Sequence, residues 1–384
     1  MDKLNFVITV SIVILFLSLF LAYFLITVKT EHKLSNRLFA VFLVLTAIDI
    51  SGILFGSFVN GPSNVGMFQS SVTFLQFPTF YLYVLSVCYT DFELKPKQLL
   101  HAVPFLLTNL ILLPRFYAVD MAAKISFLEQ NSSMLEIRFN HLFIHVQIAL
   151  YIAATFLLLR RVRKIYLENY AGASLESIHW LFQLTLALSF FYIIALIKNI
   201  FKFSAYPDIS EWLKIGLFIF ELLIISWYLF KALNHPSLFR KIDSKLKLLK
   251  SIISEEKKSA HLAAEVQTYD DELRKLSEYM SEQKPFLNPS LSIQNVSDSI
   301  EIPTRDLSLL INHQLGQHFF DFINTYRIEE AMAILRDETK NDVTVLEILY
   351  QVGFNSKSSF NTAFKKHTST TPTAYRKSMI NSDL

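Results

Sequence analysis

The stretch that decides the fold of the C-terminal part reads Thr344-Val-Leu-Glu-Ile-Leu-Tyr-Gln-Val-Gly-Phe-Asn-Ser-Lys-Ser-Ser-Phe-Asn-Thr-Ala-Phe-Lys-Lys-His367. Thr344 and Glu347 have the spacing of a capping box, which marks the start of a helix. Gly353 stands where a turn between two short helices needs a positive φ angle. The stretch therefore predicts a helix-turn-helix motif whose second helix begins near Ser356.

A similar pattern precedes it, from Leu291 to Gly316. Its sequence is Leu291-Ser-Ile-Gln-Asn-Val-Ser-Asp-Ser-Ile300, then Glu301-Ile-Pro303, then Thr304-Arg-Asp-Leu-Ser-Leu-Leu-Ile-Asn-His-Gln-Leu315. Ser292 and Thr304 are predicted to cap the two helices, and Gly316 suits a left-handed stop after the second. The sequence thus predicts two helix-turn-helix motifs.

Apolar residues between the motifs recur mostly every three or four positions, at Phe319, Ile323, Tyr326, Ile328, Ala331 and Leu335. This spacing predicts one long helix that holds the two motifs apart. Two recognition helices on such a rod suit successive major grooves, which lie about 34 Å apart on one face of a duplex.

Several spaced stretches resemble the signature of AraC-type (AraC/XylS) regulators: Phe319-Phe-Asp-Phe-Ile-Asn-Thr-Tyr-Arg-Ile328, Val352-Gly-Phe-Asn-Ser-Lys-Ser-Ser-Phe-Asn361, Phe364-Lys-Lys366 and Thr371-Pro-Thr-Ala-Tyr-Arg376. The resemblance covers about Asp271 to Met379. The lead-in Leu276-Ser-Glu-Tyr-Met280 with Lys284-Pro-Phe286 is similar to the segment before this domain in membrane-tethered members. Two positions depart from the family pattern: Leu349 replaces a usual Ala, and Ser369 replaces a common Gly.

The resemblance implies that both motifs contact double-stranded DNA. The implied base-reading positions are Arg305, Ser308 and Leu309 in the first motif, and Lys357, Ser358, Asn361 and Thr362 in the second. Lys reaches guanine O6 and N7, and Asn pairs with adenine N6 and N7.

Charge also favours the second motif as a phosphate contact. No acidic residue occurs between Glu347 and Asp383. Lys365 and Lys366 are therefore predicted to contact phosphates, the alternative being ordinary solvated lysines. The first motif is poorly basic, which predicts weak DNA binding by that motif.

The N-terminal part is different in composition. The chain of 384 residues is 52% hydrophobic and 18% charged, and the apolar excess ends near Asn234. Seven apolar blocks are long enough to cross a ~30 Å hydrocarbon core: Leu4–Val28, Leu38–Val59, Met67–Tyr89, Leu99–Ala118, His141–Leu159, Trp180–Phe201 and Trp212–Leu233. The first is too long for a signal-peptide core and lacks a cleavage site, so we interpret it as a membrane helix.

Basic residues at the ends of the blocks predict the orientation. With the N-terminus outside, the cytoplasmic flanks hold 14 Lys and Arg and the other side holds 7. Lys and Arg are enriched on the cytoplasmic side. An odd number of spans then places the C-terminal domain in the cytoplasm, as expected for a protein of a bacterial inner membrane.

Two carboxylates lie deep within the blocks, Asp49 and Glu221. A charge at the bilayer centre costs roughly 2.5–3.5 kcal/mol. One interpretation is a site that senses a small-molecule, lipid or protein signal. The alternative is a structural hydrogen bond or salt bridge within the bundle, with Lys198 and Lys214 extending toward the membrane surface.

A charged helical pattern follows the last block. Phe239, Ile242, Leu246, Leu249 and Ile253 have a/d spacing. Two heptads favour either a short stalk that joins two copies into a homodimer or an amphipathic helix on the inner leaflet.

The sequence as a whole predicts an all-α protein with three parts: a seven-helix membrane domain at 1–233, a helical linker at 234–270, and a DNA-binding domain at 271–384. It contains no Gly-rich phosphate loop, metal-ligand cluster or nucleophile elbow, so we expect no enzyme activity, cofactor or metal. The expected partners are double-stranded DNA, membrane lipid and a signal. The alternative function is a membrane transporter or lipid-handling protein with an attached regulatory domain.

Overall fold

A computed structural model describes residues 3–28, 33–58, 61–89, 92–129, 135–170, 176–202, 204, 206–234 and 265–382. Over these residues the chain is helical and has no β-strand, which confirms the all-α fold class. The chain divides into two compact units: Met1–Leu159 with Ser177–Asp243, and Arg160–Glu176 with Ser244–Leu384.

Nine α-helices cover the described residues of the N-terminal part. They are α1 Lys3–Thr27, α2 Lys33–Phe58, α3 Asn64–Ser71, α4 Thr73–Cys88, α5 Val103–Leu112, α6 Met121–Glu129, α7 Leu135–Asn169, α8 Glu176–Lys202 and α9 Pro207–Asn234. A 3-10 turn at Pro96–Ala102 precedes α5, and a π turn at Leu113–Tyr117 follows it.

Seven segments of this part are long and apolar enough to cross a membrane, as predicted. They are Leu4–Thr27, Lys33–Gly56, Asn64–Cys88, Pro96–Tyr117, Leu135–Asn169, Ile178–Lys202 and Asp208–Lys231. The short helix α6, between the fourth and fifth segments, was not predicted.

The fourth segment keeps its helical course despite two prolines. Pro104 lies in the first turn of α5 and Pro114 in the first turn of the π segment. A first-turn proline removes no intrahelical hydrogen bond and has a suitable φ angle. The prolines therefore divide this segment into three helical pieces without ending it.

Seven α-helices cover the described C-terminal part. They are α10 Glu265–Gln283, α11 Ile293–Ile300, α12 Thr304–Leu309, α13 Phe319–Arg336, α14 Val345–Gln351, α15 Lys357–Thr368 and α16 Pro372–Ser382. The predicted seam from Phe239 to Ile253 lies outside the described residues.

Two hydrophobic cores lie in this part, and α13 contributes to both. Phe319, Phe322 and Ile323 pack in the core of the first motif, which also takes in Leu276 and Met280 of α10. Further along the same helix, three residues pack in the core of the second motif: Ile328, Ala331 and Leu335. The predicted long helix between the motifs is confirmed.

Arg327 connects these cores from the middle of α13. Its side chain is fully buried. Its Nε donates to Phe286 O at 2.7 Å and its terminal nitrogen Nη2 to Asn288 O at 2.8 Å, and the guanidinium lies over the Phe354 ring at 5.5 Å. Phe286 belongs to the first core and Phe354 to the second. Burial lowers the pKa of Arg327 to about 10, so the group remains charged at neutral pH.

Candidate nucleic-acid interface

The second motif begins with the predicted capping box. Thr344 Oγ1 accepts from the Glu347 amide at 3.1 Å, and Glu347 Oε2 accepts from the Thr344 amide at 2.7 Å. The hydrogen bonds from the Thr344 backbone and side chain lower the pKa of Glu347. Two amides at the start of α14, which have no partner within the helix, are thereby satisfied.

The turn after α14 has room only for glycine. Gly353 has φ +90°, and a Cβ there would lie 2.5 Å from Phe286 O and 2.7 Å from Leu287 O. The predicted positive φ is confirmed. The close approach to residues 286 and 287 is a long-range contact that the local sequence did not reveal.

Helix α15 presents the predicted DNA-contacting residues on its outer side. Phe360 and Phe364 are fully buried and fix the inward face of the helix. The predicted contact residues are exposed except for the partly buried Asn361: Lys357, Ser358, Asn361, Thr362, Lys365 and Lys366. Positions 358, 361, 362 and 365 are neighbours on one helical face. The helix can therefore offer a lysine, an amide and hydroxyls to one groove.

The two adjacent lysines at the end of α15 differ in their contacts. Lys366 Nζ lies 2.7 Å from Asp321 Oδ1 of α13 in an ion pair. Lys365 makes no ion pair within the described residues. Asp321 therefore already neutralises one of the two charges predicted to contact phosphates.

Helix α15 ends at a residue with positive φ, the conformation for which the family pattern commonly has glycine. Ser369 caps the helix with φ +62°, in the left-handed region. Glycine, common at this position in the family pattern, adopts this conformation without a steric penalty. The other departure, Leu349, is fully buried in the core of the second motif.

The predicted cap by Ser292 is confirmed, and Asn295 completes a capping box that was not predicted. Ser292 Oγ accepts from the Asn295 amide, and Asn295 Oδ1 accepts from the Ser292 amide at 3.0 Å. The predicted cap by Thr304 is wrong. The cap position is Pro303, and Thr304 Oγ1 lies 2.8 Å from Ser297 Oγ and 2.9 Å from Gln294 Oε1. Because Thr304 is the first helical residue, its hydroxyl links α12 back to α11.

The second helix of the first motif is short and irregular. Helix α12 spans six residues and continues as a π turn over Leu310–Gln314. Gly316 then has φ +65°, which confirms the predicted left-handed stop. Of the three predicted contacts in this motif, Arg305 is exposed, Leu309 is partly buried and Ser308 is buried, only 9% exposed.

Acidic groups surround the first motif's reading helix. Arg305 Nε lies 3.9 Å from Asp306 Oδ1. Burial, together with the charge of Asp306, raises the pKa of Glu272 on α10. Asp306 therefore lies close to the basic residue among the predicted contacts of this motif, and Glu272 lies within electrostatic range of Asp306.

The deep carboxylate Asp49 is held by neighbouring helices. It accepts from Thr73 Oγ1 at 3.0 Å and from Gln76 Nε2 at 3.5 Å, while Gln76 Oε1 accepts from Tyr192 at 3.0 Å. These bonds connect α2, α4 and α8. Glu221 on α9 lies within electrostatic range of Asp49. Sequence reasoning missed Thr73 and Tyr192, which carry no recognisable motif.

The comparisons with known proteins concern the C-terminal part. The family model described as "Helix-turn-helix domain" matches residues 296–378. Uncharacterized HTH-type transcriptional regulators of Staphylococcus aureus strains COL and MSSA476 are each 34% identical over 107 residues, 28% of this chain. The chain spans 14% of the length of these relatives. No solved structure matches.

The matched residues contain most of α11 and all of α12 to α15, so they include both motifs and the helix between them. The C-terminal part of this chain is therefore an AraC-type helix-turn-helix domain, and it follows seven helices of membrane-spanning length and apolarity.

Proposed function

We propose that this protein is a membrane-bound, sequence-specific DNA-binding transcription regulator that senses a signal through its transmembrane bundle. The observation that carries the proposal is the AraC-type domain, with two motifs on one helix, in a chain with seven apolar spans. No enzymatic activity forms part of the proposal.

Double-stranded DNA is the proposed partner of both motifs. Helix α13 has 18 residues and is about 27 Å long, shorter than the ~34 Å between successive major grooves but of the same order. In the second motif, Lys357, Ser358, Asn361 and Thr362 read bases and Lys365 contacts phosphate. Lys366 takes part once Asp321 releases it. Arg305, Ser308 and Leu309 make the weaker contact of the first motif.

Genome-wide mapping of bound sites with the full chain tests this role. We expect discrete sites that are lost when Lys357 and Lys365 are both replaced by Ala, while the amount of membrane protein stays the same. Equal enrichment by the variant would contradict the proposal.

The proposed location is a bacterial inner membrane, with the N-terminus outside and the DNA-binding domain in the cytoplasm. The support is the 14-to-7 distribution of basic residues together with seven spans. Alkaline phosphatase fused to the C-terminus should be inactive, and a fluorescent protein at the same place should be bright. An active phosphatase there would end the whole proposal.

Asp49 and Glu221 are the proposed sensing residues. Asp49 is bound to α4, and Glu221 lies on α9, the last span before the linker. A change at these carboxylates can move α9 and alter how two copies of the DNA-binding domain are spaced. Reporter output and protein level should be measured together for Asp49→Asn and Glu221→Gln. Normal abundance with an unchanged inducible range would leave these groups a purely structural role.

A further inference from the structure

Five basic side chains gather at one end of the bundle, on three different helices. We call them the basic cluster: His141 and His145 of α7, Lys198 and Lys202 of α8, and Lys214 of α9. All five lie near the end of the bundle that carries the connections at 130–134 and 203–206. In the proposed orientation this is the outer side of the membrane.

The members of the cluster are electrostatic neighbours. Lys198 lies within range of the charges of Lys202 and Lys214, and also of both histidines. One direct contact joins α7 and α8: Asn199 Nδ2 lies 3.3 Å from His145 Nε2. An amide NH₂ group can only donate, so His145 Nε2 accepts and the neutral ring carries its proton on Nδ1.

The positive charge of the cluster comes from its lysines. The acidic groups within range of Lys198 are Glu211 and Asp49. Asp49 already accepts hydrogen bonds from Thr73 and Gln76. Lys198 and Lys214 are partly buried, and neither makes an ion pair within the described residues. Like charges held together at reduced dielectric repel one another, and an anion among them removes that cost.

We infer that the basic cluster is a binding site for a phosphate group, either on a lipid headgroup or on a water-soluble molecule. Lys198 and Lys214 supply two positive charges, and neutral imidazoles can donate hydrogen bonds to phosphate oxygens. Lysine is a common ligand of phosphate, which it binds as a point charge. The inference deepens the proposed sensing role, because an occupied site would bridge α7, α8 and α9.

The site connects to the carboxylates already described. Lys198 lies within electrostatic range of Asp49, so a bound phosphate would compete with Asp49 for this lysine. Release of Asp49 from Lys198 would alter the bonds that hold α2 to α4 and, through Gln76, to Tyr192 of α8. Phosphate binding at Lys198 would therefore act directly on Asp49, one of the residues proposed to sense the signal.

Binding to the purified full chain tests the inference without DNA or transcription, so its failure is distinct from failure of the regulator. The chain is held in dodecyl maltoside, which contains no phosphate. Native mass spectrometry then measures binding of phosphatidylglycerol, with and without inorganic phosphate as competitor. Diacylglycerol, a lipid without a phosphate, is the comparison.

The variant is Lys198→Gln combined with Lys214→Gln. The matched control is Lys124→Gln of α6, a lysine on the same side of the predicted membrane whose Nζ lies 5.9 Å from the Phe116 ring centroid. We expect the double variant to bind phosphatidylglycerol about ten-fold or more weakly and the control to change by less than about two-fold. If the double variant does not yield monodisperse protein, Lys214→Gln alone replaces it.

Two results would support the inference and name the source of the phosphate. Phosphatidylglycerol binding that resists inorganic phosphate indicates a lipid headgroup, and competition by inorganic phosphate indicates a soluble ligand. Equal weakening in the cluster variant and in Lys124→Gln would overturn it. So would binding of diacylglycerol, which has no phosphate, as tight as that of phosphatidylglycerol.

Discussion

The two helix-turn-helix motifs share a pattern of elements but differ in regularity and charge. The second helix of the second motif, α15, is a regular helix of 12 residues in a stretch without acidic residues. In the first motif the corresponding helix, α12, has six residues and continues as a π turn. Its Arg305 lies close to Asp306. The second motif is therefore suited to bind phosphates and bases. The first motif is suited to a weaker contact with DNA, and its position depends on the second motif and on α13, which joins them.

The largest expected difference between the motifs lies in their glycines. Gly353→Ala should destabilise the C-terminal fragment from Asp271 by about 3 kcal/mol, since it combines a strained φ with overlap at Phe286 O and Leu287 O. Gly316→Ala should cost only about 1 kcal/mol, because its φ is positive but nothing lies within 4 Å of the added Cβ. Urea unfolding measures both, and equal losses would contradict the contrast.

The next difference concerns base reading. Lys357→Ala should relax preference at one base pair, at a cost of roughly 1–3 kcal/mol on the preferred sequence. Arg305→Ala should have a smaller effect, since Asp306 lies close to Arg305. Binding to a set of single-base operator variants measures this. A uniform loss across all sequences for Lys357→Ala would make that lysine a phosphate contact.

Salt dependence separates the two adjacent lysines of α15. Lys365→Ala should reduce the magnitude of the slope of log affinity against log salt by about one, as expected for the loss of one phosphate contact. Lys366→Ala should lower it less, because Asp321 already pairs with Lys366. The matched variant Asp321→Asn removes that exposed pair, which is worth at most about 1 kcal/mol, and should make the slope steeper. An unchanged slope in Asp321→Asn would mean that Lys366 does not contact DNA.

A small gain in stability is expected where non-glycine residues have positive φ. Ser369→Gly at the end of α15 (φ +62°) and Glu301→Gly at the end of α11 (φ +58°) relieve the same strain in the two motifs. Each should stabilise the fragment by about 0.5 kcal/mol, since the greater freedom of glycine in the unfolded chain offsets part of the relief. Thermal unfolding of both variants checks this, and a loss of stability in either would contradict it.

The smallest expected effect is a pH response confined to the second motif. The pKa of Glu347 is lowered by its bonds to Thr344, so its stabilisation is present above its ordinary value of 4.5 and is lost as pH falls through the lower folded-state value. The first motif uses the amide of Asn295, which does not titrate. Hydrogen exchange at the two helix starts should diverge on acidification. Glu347→Gln should abolish the difference; its persistence in that variant would contradict this cause.

The sequence was sufficient for features that depend on local pattern. Local sequence predicts the seven apolar blocks, the capping box at Thr344, the cap by Ser292, the positive φ of Gly316 and Gly353, and the long helix α13. Contacts between distant residues were not predictable in this way. Asp321 and Lys366 are 45 residues apart, Arg327 reaches Phe286 and Asn288, and the basic cluster draws on three helices. The error at Thr304 has the same cause, since its hydroxyl contacts the preceding helix instead of its own amides.

A single helix shared by two cores has a consequence for cooperativity. Helix α13 supplies Ile323 to one core and Ile328 to the other. Unfolding of α13 with either motif would therefore remove core residues from the other motif. Opening of the first motif alone would also break the hydrogen bond from buried Arg327 to Phe286 O. The two motifs should therefore exchange their slowest amide hydrogens at one common rate, as a single cooperative unit.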